Sequence, residues 1–83
     1  MVVSGTILMF TVKVVTKKSG KPAERKKVSA TFNEILRGGS TGNKYTDSLG
    51  EAHFNNQPGI GKVYVDGQPL FEGRLEGRVV IYI

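Results

Sequence analysis

The chain has no cysteine, no tryptophan, one histidine and three prolines in 83 residues. Without cysteine, neither a disulfide framework nor a thiolate metal site can hold it together, so the hydrophobic core must suffice alone and the redox compartment stays open. A lone histidine argues against zinc, whose sites take about four Cys, His or carboxylate ligands. The carboxylates Asp47, Glu51, Asp66, Glu72 and Glu76 are separated by turns, so no metal and no cofactor is expected. No apolar run approaches the roughly 20 residues of a bilayer-crossing helix, and no membrane insertion is expected. The opening "MVVSGTILMF" lacks a basic n-region and a small-residue cleavage site, which predicts a soluble chain, cytoplasmic if complete. A domain cut from a longer exported protein would read the same.

What is present suits one compact domain over residues 1–83. A chain this size buries about 60 to 65% of its unfolded surface. Hydrophobic residues make up 39% and charged residues 23%, a folding composition. The net charge of +5 is uneven: seven of the twelve Lys and Arg residues lie between Lys13 and Lys27, opposed only by Glu24. Lys17, Lys18, Lys21, Arg25, Lys26 and Lys27 therefore form a candidate anion-binding loop for nucleic acid or another polyanion. No aromatic residues are interleaved for base stacking, which favours a solvated loop instead.

Alternation with a period of two runs through the chain. "TILMFTVKVVT" places Leu8, Phe10, Val12 and Val14 on one face, and "KKVSATFNEI" does the same with Val28, Ala30 and Phe32. Between them "KKSGKPAER" is a loop, and "LRGGSTGNK", with three glycines, predicts a flexible loop at about residues 37 to 43. "GGSTGNKY" lacks the lysine directly after the second glycine that a phosphate-binding loop needs. "KVYV" is joined by Asp66-Gly67 to "QPLFEG", a hairpin signal whose Pro69 marks an edge strand. "EGRLEG" then reads as a loop before the last strand, "RVVIYI". No segment has helical spacing. The fold class expected is all-β, an antiparallel β-sandwich of about seven strands, prealbumin-like or immunoglobulin-like. If successive strands run antiparallel, "KKSGKPAER", "DSLG" and "VDGQ" gather at one end.

The stretch "KYTDSLGEAHF" offers the most plausible acid and base together, Asp47 and His53, beside Ser48. A nucleophile triad requires the base to touch both carboxylate and hydroxyl. The competing reading makes Asp47 and Gly50 the first and fourth residues of a type I turn. In a hairpin, Thr46 then faces Glu51, Tyr45 faces Ala52 and Lys44 faces His53, so Tyr45 points inward and His53 lies rungs away from Asp47. On this reading Thr46, Asp47 and Gly50 are structural, no residue is catalytic, and the chain is not an enzyme.

The order of elements resembles the carboxypeptidase regulatory-like domain, one of the prealbumin-like (transthyretin-like) β-sandwiches. "SGKPAERKKVSATF" is similar to that family's G-x-P loop and second strand, "YTDSLGEAHF" to its Thr, Asp, Gly and aromatic turn, and "PGIGKVYVDG" to the step and central strand that follow. The resemblance implies a non-catalytic module that supports, spaces or docks other domains. The 5-hydroxyisourate hydrolases of the wider fold carry several catalytic histidines and a C-terminal Tyr-Arg-Gly-Ser, whereas this chain has one histidine and ends "VVIYI".

The terminal strands carry apolar side chains on both faces. Ile7 and Met9 oppose Leu8 and Phe10, while Val80 and Tyr82 oppose Val79 and Ile81. A sandwich strand with one solvated face should not do this. Ile7, Met9, Val80 and Tyr82 are therefore the candidate interface with a protein partner or a second copy. Alternatively, the two strands pair in the sheet centre and "MVVS" covers them.

Overall fold

The computed structural model describes residues 9–33 and 39–83. Leu8 and Ile7, expected in the core and the interface, lie outside the described residues. Seven strands follow in order: β1 (Phe10–Val15), β2 (Lys27–Phe32), β3 (Lys44–Tyr45), β4 (Glu51–Phe54), β5 (Gly59–Val65), β6 (Gln68–Leu75) and β7 (Gly77–Tyr82). They form a small all-β sandwich of two sheets, β4-β1-β7 and β3-β2-β5-β6. Neighbours are antiparallel except β1 and β7, which are parallel. The exception follows from the alternation itself, because the first and seventh strands of an up-and-down chain run the same way.

The two-residue period turns one face of each strand inward. Phe10, Val12 and Val14 of β1, Ala52 and Phe54 of β4, and Val79 and Ile81 of β7 meet Val28, Ala30 and Phe32 of β2 and Val63 and Val65 of β5. Phe10 stacks on Phe54, centroids 5.2 Å apart, and meets Phe32 of the other sheet edge-on at 6.2 Å. Ala23 and Leu75 join this core and Val15 is buried too, three positions the alternation did not single out. Leu75 is the last residue of β6, so most of "EGRLEG" is strand and not loop.

Asp66 and Gly67 both take positive φ, 51° and 85°, as a two-residue hairpin turn requires. Among the described residues β6 is an edge strand, in keeping with Pro69. Across from it the register shifts: Val63 faces Phe71 but Tyr64 faces Pro69, leaving Leu70 as an extra, exposed residue. The glycine-rich segment is tied to β2 where it is described: Phe32 N–H donates to Gly39 C=O, Thr41 N–H to Ala30 C=O, and Ala30 N–H to Thr41 Oγ1.

The main correction concerns residues 44–54. β3 pairs with β2 and β4 with β1, so the Asp47–Gly50 turn carries the chain from one sheet to the other instead of closing a hairpin. Tyr45 is consequently 65% exposed, not inward. Thr46 anchors the crossing: its buried hydroxyl donates to Ala23 C=O at 2.6 Å and accepts from Lys26 N–H at 2.8 Å. Thr46→Val keeps the volume but orphans both backbone groups, and an urea titration should show a loss of about 2 kcal/mol. A loss within about 0.5 kcal/mol, the range of an ordinary surface substitution, would contradict this role.

Candidate functional site

The outward face of the three-stranded sheet gathers the charged and apolar residues of interest. Register sets His53 and Glu51 of β4 beside Thr11 and Lys13 of β1, and these beside Arg78 and Val80 of β7. Tyr82 follows opposite Val15. Met9, Val80 and Tyr82 are exposed at 37%, 40% and 59%. Among the described residues, β1 is the central strand of its sheet and β7 an edge strand. The pairing of the terminal strands is therefore real, but only β1 occupies the centre. Met9 stands at the opposite end of β1 from Tyr82, with Thr11 and Arg78 between, so Val80 and Tyr82 form the apolar patch and Met9 lies apart.

The turn at Asp47 is built as its residue types require. Gly50 N–H donates to Asp47 C=O at 2.9 Å, and Asp47 Oδ1 accepts from the Leu49 and Glu51 N–H groups at 2.9 and 3.0 Å. Gly50 is fixed twice over: its φ is +74°, and an added Cβ would lie 2.6 Å from Val14 O.

Crossing between sheets brings Asp47 to His53, against the hairpin expectation that separated them. His53 Nε2 lies 4.0 Å from Asp47 Oδ2 and 3.7 Å from Glu51 Oε1. Its Nδ1 is 2.8 Å from Thr11 Oγ1, and Glu51 Oε2 is 3.2 Å from Arg78. Thr11 and Arg78 were not singled out in the sequence, and Glu51 only as one of five scattered carboxylates. The spacing of Glu51 and His53, two apart on a strand, does place them on one face, but Thr11 and Arg78 arrive from strands distant in sequence. Ser48 stays in the turn and makes no hydrogen bond to the histidine among the described residues, so the arrangement is not a nucleophile triad.

The hydrogen bond from Glu51 N–H holds the Asp47 carboxyl below the ordinary aspartate range; the Leu49 N–H and the His53 charge add to this, against partial desolvation. A depressed carboxyl stabilises the fold above its ordinary titration near about pH 4 and loses that contribution as pH falls through the lower folded value. Asp47→Asn keeps an oxygen acceptor for the turn but cannot titrate. Its acid unfolding curve should be flatter than that of the wild type below about pH 4, and identical curves would contradict the assignment.

The basic loop lies at one end of the sandwich, together with the Asp47 and Asp66 turns as expected. Arg25 N–H donates to Thr46 C=O, and Lys27 N–H donates to Asp66 Oδ1. Lys17, Lys18, Lys21 and Arg25 are exposed, Lys27 is half-buried, and Lys26 approaches Asp66 at 3.8 Å. The positive charge is thus tempered at Lys26 and open at the tip. An open hollow of about 310 Å³ lies over the β5–β6 bulge, lined by Lys62, Pro69, Leu70, Phe71 and Glu72. Among the described residues, no helix is long and apolar enough to cross a membrane. Comparison of the chain with family models, with curated proteins and with solved structures finds no match.

Proposed function

We propose that the protein is a non-catalytic structural module that docks or assembles through its C-terminal strand. One observation carries the reading: among the described residues β7 is an edge strand of its sheet, and it presents Val80 and Tyr82 outward. An edge strand offers a row of backbone donors and acceptors, and adjacent apolar side chains give an added strand something to bury against. Burying a valine or a larger side chain contributes about 1.5 to 3 kcal/mol, so these two residues can decide whether a partner stays bound. The carboxypeptidase regulatory-like resemblance agrees with this role, since it too implies a docking or spacing domain.

Val80→Lys places a charge in that patch without touching the core. Light scattering should show the wild type heavier than a monomer and the variant dissociating at least ~10-fold more readily, the equivalent of about 1.4 kcal/mol. An unchanged mass in the variant would contradict self-association through β7.

A second reading rests on the exposed cluster of Lys17, Lys18, Lys21 and Arg25, a polyanion site at the basic end of the sandwich. Binding driven by phosphate contacts weakens steeply with salt, whereas an apolar interface does not. An oligonucleotide bound at low salt and released at about 0.2 M would support it.

A further inference from the structure

The Asp47, Glu51 and His53 cluster is organised in a way that neither the turn nor the docking strand requires. One potential ligand atom from each residue lies within 4.8 Å of the other two. In every case the companion atom of the same side chain is already held. Asp47 Oδ1 is held by two backbone N–H groups, leaving Oδ2 toward the histidine. Glu51 Oε2 is held by Arg78, leaving Oε1. His53 Nδ1 is held by Thr11, leaving Nε2. Three independent supports thus aim two carboxylate oxygens and one ring nitrogen at a common point.

We propose that these three residues form a binding site for a divalent first-row transition ion of the zinc class. A ring nitrogen facing two carboxylate oxygens must present them with either its own N–H or a bound metal ion, because a bare lone pair there would be repelled. Metal–ligand bonds of about 2.0 to 2.2 Å place tetrahedral ligands roughly 3.4 Å apart. The 3.7 and 4.0 Å separations to Nε2 need only a small rotation of each carboxylate to reach that. Imidazole selects zinc, nickel, copper and cobalt over calcium and magnesium, which require more oxygen ligands than are present here. The Thr11 contact supplies the outer-shell hydrogen bond that metal-binding histidines ordinarily make. Asp47 and His53 are half exposed, so water completes the coordination.

The protein charges around the site cancel before an ion enters, so the ligand atoms and not a net negative field must hold it. Asp47 and Glu51 contribute two negative charges, while Lys13, which pairs with Glu51 in register, and Arg78 contribute two positive ones.

The test is a titration of the whole chain with zinc chloride at about pH 7.5, read by calorimetry and by the ring resonances of His53. Because His53 is the only histidine, those resonances belong to one residue. The expected result is one ion per chain with a shift of the Nε2 signal. His53→Ala and Asp47→Asn should each lose at least ~10-fold in affinity, and Thr11→Val about 10-fold through the lost outer-shell contact. Calcium chloride should leave the resonances in place. An unmoved ring at about 1 mM zinc, or His53→Ala binding within about twofold of wild type, would overturn the site. Calcium binding as tightly as zinc would overturn the assigned ion class.

Discussion

Phe10→Ala is expected to remove about 4 kcal/mol of folding stability. Phe10 is 1% exposed and is the ring at which the two sheets meet, stacked on Phe54 within its own sheet and edge-on to Phe32 across the core. Truncation removes the buried ring surface and also leaves a void that three neighbouring strands cannot collapse to fill. A domain of this length has a total stability of roughly 4 to 12 kcal/mol, so the variant should be largely unfolded at modest urea. Phe10→Leu, which keeps most of the volume, should cost about 1.5 kcal/mol. Urea midpoints with an unchanged slope provide the comparison, and equal losses for the two variants would show that the ring contacts, and not the void, set the cost.

Gly61→Ala is expected to cost about 3 kcal/mol or more, although only one methyl group is added. Gly61 is buried in β5 opposite Phe32, and its φ is not in the left-handed region, so alanine would suit the backbone conformation. Space is what forbids it. The new Cβ would drive into Thr31 O, with Thr31 C at 2.9 Å and Phe32 Cα at 3.1 Å. These are backbone atoms of the neighbouring strand, and they can yield only by parting β2 from β5. Gly67→Ala is the contrasting case: it meets nothing within 4 Å and pays only for its positive φ, about 1 kcal/mol. If Gly61→Ala proved as mild as Gly67→Ala, the tight approach of β2 and β5 would be refuted.

The parts of this fold legible in the sequence are those that a local period or a short turn encodes. Alternation at Phe10, Val12 and Val14, and again at Val28, Ala30 and Phe32, marks inward faces because side chains on a strand repeat every two residues. Asp66-Gly67 marks its hairpin because both residues tolerate positive φ. The error at Tyr45 has a physical source as well. "DSLG" specifies a tight turn but not whether the strands it joins share a sheet; that is decided by the Thr46 hydroxyl reaching Ala23 and Lys26, about twenty positions earlier. The same limit hid the histidine cluster. Asp47 and His53 were visible, yet their approach depends on β4 pairing with β1, a contact between residues some forty positions apart. Leu75 was missed because Gly73 and Gly77 make its surroundings read as loop, whereas β6 runs through to it.

The candidate docking strand and the histidine cluster share the outward face of one sheet, with Lys13 and Arg78 between them. This adjacency makes the assembly state of the unmodified chain the quantity to measure first. Size-exclusion chromatography with light scattering, at low and high salt and with and without a mixed-sequence oligonucleotide, tests the docking proposal most directly. Assembly through Val80 and Tyr82 predicts a mass above the monomer that survives high salt and ignores the oligonucleotide. A monomer that shifts with the oligonucleotide only at low salt would contradict it and move the function to the basic loop.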